Sequence, residues 1–255
     1  MAALLLLLIV VVYLVTFSAP GIQTSLSAKT FDFFCSEMSG MMRVGTGFYL
    51  LILTAYVLGL EYQMGTIRVL LVRGVGRLQL LLAKLTAIAL VALLLLAGTL
   101  LVNALFLLCS LLLVKGNLSL LAGAGPHLAL YVLTIVISMV ATVLMATAVT
   151  ALGRLLAFGL AAAIAFFPLD NFGTLMLYFA SRLSHMDFWQ QTTAYLLEPN
   201  LNQMNAALTA QPGWGFGQGP LAGVDGTHTL LVALIYTLIF AFVAAVLTSK
   251  RDVQE

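Results

Sequence analysis

Apolar residues fill this chain in long runs, and short polar clusters separate one run from the next. Six runs stand out, at residues 2–17, 41–60, 85–114, 128–150, 155–177 and 229–248. Most are close to the ~20 residues that carry a helix across a bilayer. Inside lipid a backbone must satisfy its own hydrogen bonds, so runs of this length predict helices. The first is short, about 16 residues or ~24 Å, and the third is long, about 30 residues or ~45 Å. The third exceeds the ~30 Å hydrocarbon core and must tilt or project beyond it. No basic leader precedes the first run, so it predicts an uncleaved helix, although Ser18 and Ala19 are small enough for a signal cleavage site.

The polar clusters predict the connections. Ser18 to about Gly40 carries Lys29, Asp32 and Glu37 and predicts a loop or interfacial segment, with Arg43 near enough to the following helix end to snorkel toward headgroups. Lys115 to His127 is rich in turn formers, and Gly153 with Arg154 predicts a tight connection. Pro168 and Asp170 interrupt the fifth run. It reads either as one kinked helix ending near Leu177 or as a short helix to Phe167 followed by a re-entrant or interfacial piece. Residues 178–228 predict a large outer loop, with Trp189, Tyr195 and Trp214 as interface anchors.

Composition narrows the class. The chain is 62% hydrophobic and 8% charged, against roughly 25% charged in soluble domains, which predicts a single all-α, multi-pass integral membrane domain over residues 1–255. A net charge of +2 gives no footprint for nucleic acid. With the N-terminus inside, Arg68, Arg73, Arg77, Lys84, Arg154, Lys250 and Arg251 face the cytoplasm, while Lys29, Arg43, Lys115 and Arg182 lie outside. That asymmetry follows the positive-inside rule and predicts six spans with both termini cytoplasmic.

The densest basic connection, residues 61–84, carries the functional signal. Gly65 interrupts the preceding helix, Thr66 can cap a new one, and Gly74 and Gly76 can end it. Ile67, Leu70 and Leu71 fall at i, i+3 and i+4 on one apolar face. Such a short helix either lies flat among headgroups, its arginines on anionic lipid, or docks into a groove of a soluble partner.

The order of residues in this connection resembles the signature of ATP-binding-cassette type-2 transport permeases. Glu61 is followed by Gly65-Thr66-Ile67-Arg68, by Arg73-Gly74-Val75-Gly76-Arg77 and by Leu80-Leu81-Leu82-Ala83-Lys84. The likeness is tight over about 24 residues and loose over the six-helix layout. It implies a coupling helix that transmits force from an ATPase, with Glu61, Gly65, Thr66, Ile67, Arg68, Leu70, Leu71, Arg73, Gly74 and Arg77 as coupling residues. Gly74 departs from the family, which often has proline there, and the basic amphipathic leader common before the first helix is absent.

No phosphate-loop motif occurs in the chain, so ATP and Mg are expected on a partner ATPase and no cofactor is expected here. The resemblance further implies a second permease copy, an export function and a bacterial inner-membrane location. A stand-alone secondary carrier or membrane scaffold is the rival, in which the basic connection only anchors to lipid.

Other candidates are fewer. Asn103 reads as a helix-packing hydrogen bond or a pathway contact. Asp170 reads as an intramembrane acid if the fifth helix is continuous, or as an outer-interface residue if it is not. Cys35, Met38, Met41, Met42, His185 and Met186 are soft donors that would suit Cu(I) only if they converged. His127, His185 and His228 show no catalytic spacing, which predicts a non-enzymatic chain.

Overall fold

The computed structural model describes residues 28–65, 72, 74–113, 119–209, 219, 220 and 222–250. Their regular structure is α1 (Ala28–Met64), α2 (Arg77–Leu113), α3 (Ser119–Gly153), α4 (Leu156–Ser184), α5 (Phe188–Thr193), α6 (Leu197–Thr209) and α7 (Gly226–Lys250). Five of these helices contain stretches long and apolar enough to cross a membrane: Met42–Met64, Arg77–Leu105, Leu128–Gly153, Leu156–Ser184 and Gly226–Lys250. The protein is therefore a helical, multi-pass membrane protein. The short apolar run at 2–17 lies outside the described residues.

The bundle is organised around α1 and α3. α1 packs on α2, α3 and α4, while α3 also carries α4 and α7. Along α1 the residues Met42, Thr46, Leu50, Thr54 and Leu58 are buried at steps of four, which is one ridge of the helix surface. Met42 and Leu50 meet Ile88 and Leu96 of α2 and Ile135 and Met139 of α3 in one apolar cluster. Leu51 meets Met145, Ala146 and Ala163 in a second. α3 buries Ala141, Ala146, Ala148 and Ala151, small side chains that let neighbouring helices approach. Thr46 and Thr147 hydroxyls donate to the carbonyls of Met42 and Val143, at 2.5 and 2.7 Å, so these buried polar groups are satisfied within their own helices. α2 is apolar around most of its circumference, and Leu82, Leu90, Leu93, Leu94 and Leu101 point away from the bundle. A helix of that kind suits lipid as its solvent.

Helix ends differ from the expected boundaries. Residues 28–40, expected as a loop or interfacial segment, are helical and precede the span that begins at Met42; α2 starts at Arg77 and not near residue 85; α3 starts at Ser119, within the turn-forming cluster. Hydropathy locates where lipid begins, whereas a helix continues past lipid while its backbone hydrogen bonds hold. The fifth run is one continuous helix to Ser184, with Pro168 inside it. Proline there removes one N–H donor to the Ile164 carbonyl, a loss that packing on neighbouring helices offsets. The expected outer loop contains α5 and α6. The tight connection at Gly153 and Arg154 is present, with Arg154 in the left-handed region at φ 54°.

α1 and α4 cross where Gly59 faces the start of α4. A Cβ at position 59 would lie 2.7 Å from the Leu156 Cα, a backbone atom that cannot step aside. Gly98 in α2 has no neighbour within 4 Å of such a Cβ. Alanine is the better helix former by about 1 kcal/mol, so the two sites should respond oppositely. Gly59→Ala is expected to destabilise the bundle by about 1–3 kcal/mol through overpacking. Gly98→Ala is expected to leave stability unchanged or raised, and thermal unfolding in detergent measures both.

Candidate functional site

At one end of the bundle α1 runs into the basic connection. Lys84 Nζ lies 2.5 Å from Glu61 Oε2, so the acid that opens the permease-like motif is paired with the lysine that closes it. Lys84 had been expected in a loop; it sits one turn or more inside α2, where the Glu61 carboxylate compensates its partly buried charge. Gly65 and Gly74 adopt φ of 66° and 83°, a region glycine enters without strain. Val72, between them, is 89% exposed. Arg77 Nη1 donates to the Ser249 carbonyl of α7 at 3.4 Å. Thus Glu61, Gly65, Gly74 and Arg77 gather at this end, while Thr66, Ile67, Arg68, Leu70, Leu71 and Arg73 lie outside the described residues.

The other end is closed by α6, which is buried on both its apolar and its polar faces. Leu197, Leu201 and Met204 pack on Ala233 of α7. Glu198, Asn200, Asn202 and Asn205 are also buried, at 9% exposure or less. Polar groups so placed need partners. Asn200 Nδ2 donates to the carbonyls of Ala194 and Leu196 at 2.6 and 2.7 Å, and Thr134 of α3 donates to Asn205 Oδ1.

Arg43 does not snorkel. It is 5% exposed, with Nη1 at 3.5 Å from Glu198 Oε2 and Nη2 donating to Asn202 Oδ1. The reason is that α6 offers an acid and an amide at the depth where Arg43 enters the bundle, so the guanidinium is satisfied without reaching headgroups. Asp170 belongs to the same cluster: its Oδ2 accepts the Glu198 backbone N–H at 2.7 Å, capping the start of α6 from another helix. Its neighbour Asn171 accepts from Asn202 Nδ2 at 2.9 Å. Pro199 occupies the first turn of α6, where a missing N–H costs no helix bond. Asn103, the other pathway candidate, donates to the Met42 sulfur between α2 and α1. Met42 is thereby a core residue, and among the described residues no group of three His, Cys, Asp or Glu side chains is placed to hold a metal ion.

A family model matches residues 2–254. The chain belongs to the family described as "Protein of unknown function (DUF2705)". No curated protein and no solved structure matches it.

In this DUF2705 chain, sequence reasoning found Asp170 but not the two residues that give it a role, Arg43 and Glu198. Arg43 read as a boundary charge, and Glu198 lay in an expected loop. The available signal was local: Glu198-Pro199 followed by Leu201 and Met204 reads as an acidic first turn leading into a helical apolar face. Burial pushes the Glu198 carboxyl up to about 7, against the opposing pull of Arg43 and with added push from the negative charge of Asp170.

Replacing Arg43 by Met would leave Glu198 without its counter-ion and Asn202 without its donor. The expected loss is about 3 kcal/mol, the low end for a broken buried ion pair, because a lone carboxyl can be neutralised by protonation. Glu198→Gln added to Arg43→Met is expected to recover part of that loss. Unfolding in a graded detergent mixture measures both variants against the parent.

Proposed function

We propose that this chain is the membrane-spanning permease subunit of an ATP-driven exporter, in which residues 61–84 pass the motion of a separate ATP-binding-cassette ATPase to the membrane helices. The observation that carries the reading is the Glu61–Lys84 ion pair at 2.5 Å. It ties α1 to α2 beside the connection, so a load applied there reaches both helices together. Gly65 and Gly74, each in the left-handed region, bracket the connection at the two points where it must change direction. α1 in turn packs on α2, α3 and α4, which gives a displaced α1 end a direct mechanical route into the bundle centre.

The reading has further parts. Arg77, Arg154 and Lys250 lie at or beside the ends of α2, α4 and α7 near this connection, which by the positive-inside rule favours a cytoplasmic location for it. A span at residues 2–17 then brings the total to six with both termini cytoplasmic. ATP and Mg belong to the partner ATPase and no cofactor belongs to this chain. A second permease copy completes the pathway, in the inner membrane of a bacterium.

A stand-alone secondary carrier is the second reading, and the buried Arg43–Glu198–Asp170 cluster favours it, because carriers bind their coupling ions at such sites. The presence of an ATPase separates the two. Purified in mild detergent from its own membrane, the chain is expected to bring an ATPase with it. Replacing Arg68 and Arg73 together by Glu is expected to abolish that copurification while the chain stays in the membrane. Unchanged copurification, or labelling of the connection from the external face of cells, overturns the reading.

A further inference from the structure

Among the described residues the charges around the start of α6 do not cancel. Arg43 supplies one positive charge, and Glu198 and Asp170 supply two negative ones when both are ionised. Two of the three converge on the start of α6, Arg43 Nη1 on the Glu198 side chain and Asp170 Oδ2 on the Glu198 backbone. An uncompensated negative charge in a buried site is costly, and the smallest species that removes it is a proton.

The space beside Glu198 suits that exchange. A cavity bounded by Arg43, Gly47, Ser138, Thr142, Met145 and Glu198 has room for roughly one water molecule. Ser138 is 3% exposed, and its hydroxyl has no hydrogen-bond partner among the described residues. An orphaned buried hydroxyl on the wall of a cavity that also holds a carboxyl needs an explanation. A hydroxyl donates to a carboxylate and accepts from a carboxylic acid, so Ser138 can serve both protonation states, directly or through one water. Arg43 already occupies the cation position against Glu198, which leaves a metal ion facing a guanidinium.

We propose that this cavity between α1, α3 and the start of α6 is a proton-binding site, in which the Glu198 carboxyl takes up and gives back one proton, with Arg43 paired to its side chain, Asp170 bonded to its backbone and Ser138 on the cavity wall. Uptake converts the carboxylate to the acid and takes the cluster from one net negative charge to none. The groups bearing on Glu198 from the surrounding helices are Arg43 of α1 and Asp170 of α4, with the hydroxyls of Ser138 and Thr142 from α3. From α7, Tyr236 lies within the field of Asp170 and its hydroxyl donates to the Tyr195 carbonyl, while His228 Nε2 is bonded to the Ala194 carbonyl at 2.8 Å.

The direction of the coupling follows from the raised carboxyl, about 7 in the folded chain against 4.5 for the free group. Between those values the folded chain holds a proton that the unfolded chain has released. The stabilisation is complete below about 4.5 and is lost as pH rises through about 7. A proton on this carboxyl therefore favours the folded chain, and its release disfavours it. The site stands whether or not an ATPase drives the chain.

Infrared titration of the full chain in lipid nanodiscs tests the proposal, because a protonated carboxyl absorbs apart from a carboxylate. One protonated-carboxyl band is expected to disappear with a midpoint near 7, to be absent in Glu198→Gln, and to move to lower pH in Asp170→Asn, where the neighbouring negative charge is gone but the cap acceptor remains. If Glu198→Gln does not fold, the Asp170→Asn shift still decides. A chain with no carboxyl titrating within about one unit of 7, a band unchanged in Glu198→Gln, or a midpoint unmoved by Asp170→Asn overturns the proposal. A midpoint that falls as sodium is added would assign the site to a metal ion and overturn it equally.

Discussion

Lipid offers no partner to a polar group, and every feature of this protein answers to that constraint. The backbone answers it with helices, which close their own hydrogen bonds. Threonine hydroxyls within the bundle answer it by bonding the carbonyl one turn back, as Thr46 and Thr147 do. Arg43 answers it across the bundle, because a buried guanidinium needs an acid and further acceptors beside it. It draws on Glu198 and Asn202, residues roughly 155 positions away in sequence. That pairing adds a polar contact to α6, whose apolar side chains pack on α7.

The consequence is a division of labour between the two ends. At one end α6 is a largely buried helix, its start capped by Asp170 and its three asparagines each bonded to at least one named partner. Low dielectric strengthens such a network when it is satisfied and penalises it when it is not. At the other end the Glu61–Lys84 pair is half open, and the connection beyond it begins and ends on glycines with open space around them. An enclosed polar end and a basic end with two positive-φ glycines are joined by α1, which carries both Arg43 and Glu61. On the proposed reading, α1 is the element through which force applied at the basic end reaches the enclosed cluster.

Legibility varied along the chain with the kind of interaction involved. The spans of α2, α3 and α7 were visible because each is a long run of apolar residues, and their identity depends on composition alone. Gly65 and Gly74 were visible because they punctuate an otherwise charged stretch. Pro168 misled in one of its two readings: a proline and an acid together suggest a helix end, yet α4 continues because Asp170 and Asn171 find partners on α6. Residues 178–228 read as a loop since their hydropathy is low. α6 forms there regardless, because Leu197, Leu201 and Met204 find an apolar surface on α7.

The sequence by itself determined that the protein is a multi-pass membrane protein, where five stretches long and apolar enough to cross the membrane lie, and that the charged connection after Met64 is the part least like lipid-embedded helix. These are properties of runs, and a run is read along the chain. Only the tertiary structure decided that Arg43 is a buried partner of Glu198, that Asp170 caps a helix it does not belong to, and that Ser138 lines a small cavity with both Arg43 and Glu198. Those are meetings between residues separated by dozens of positions. In a low-dielectric interior the state of a charge is set by whatever stands a few ångströms away, and that neighbour is chosen by the fold.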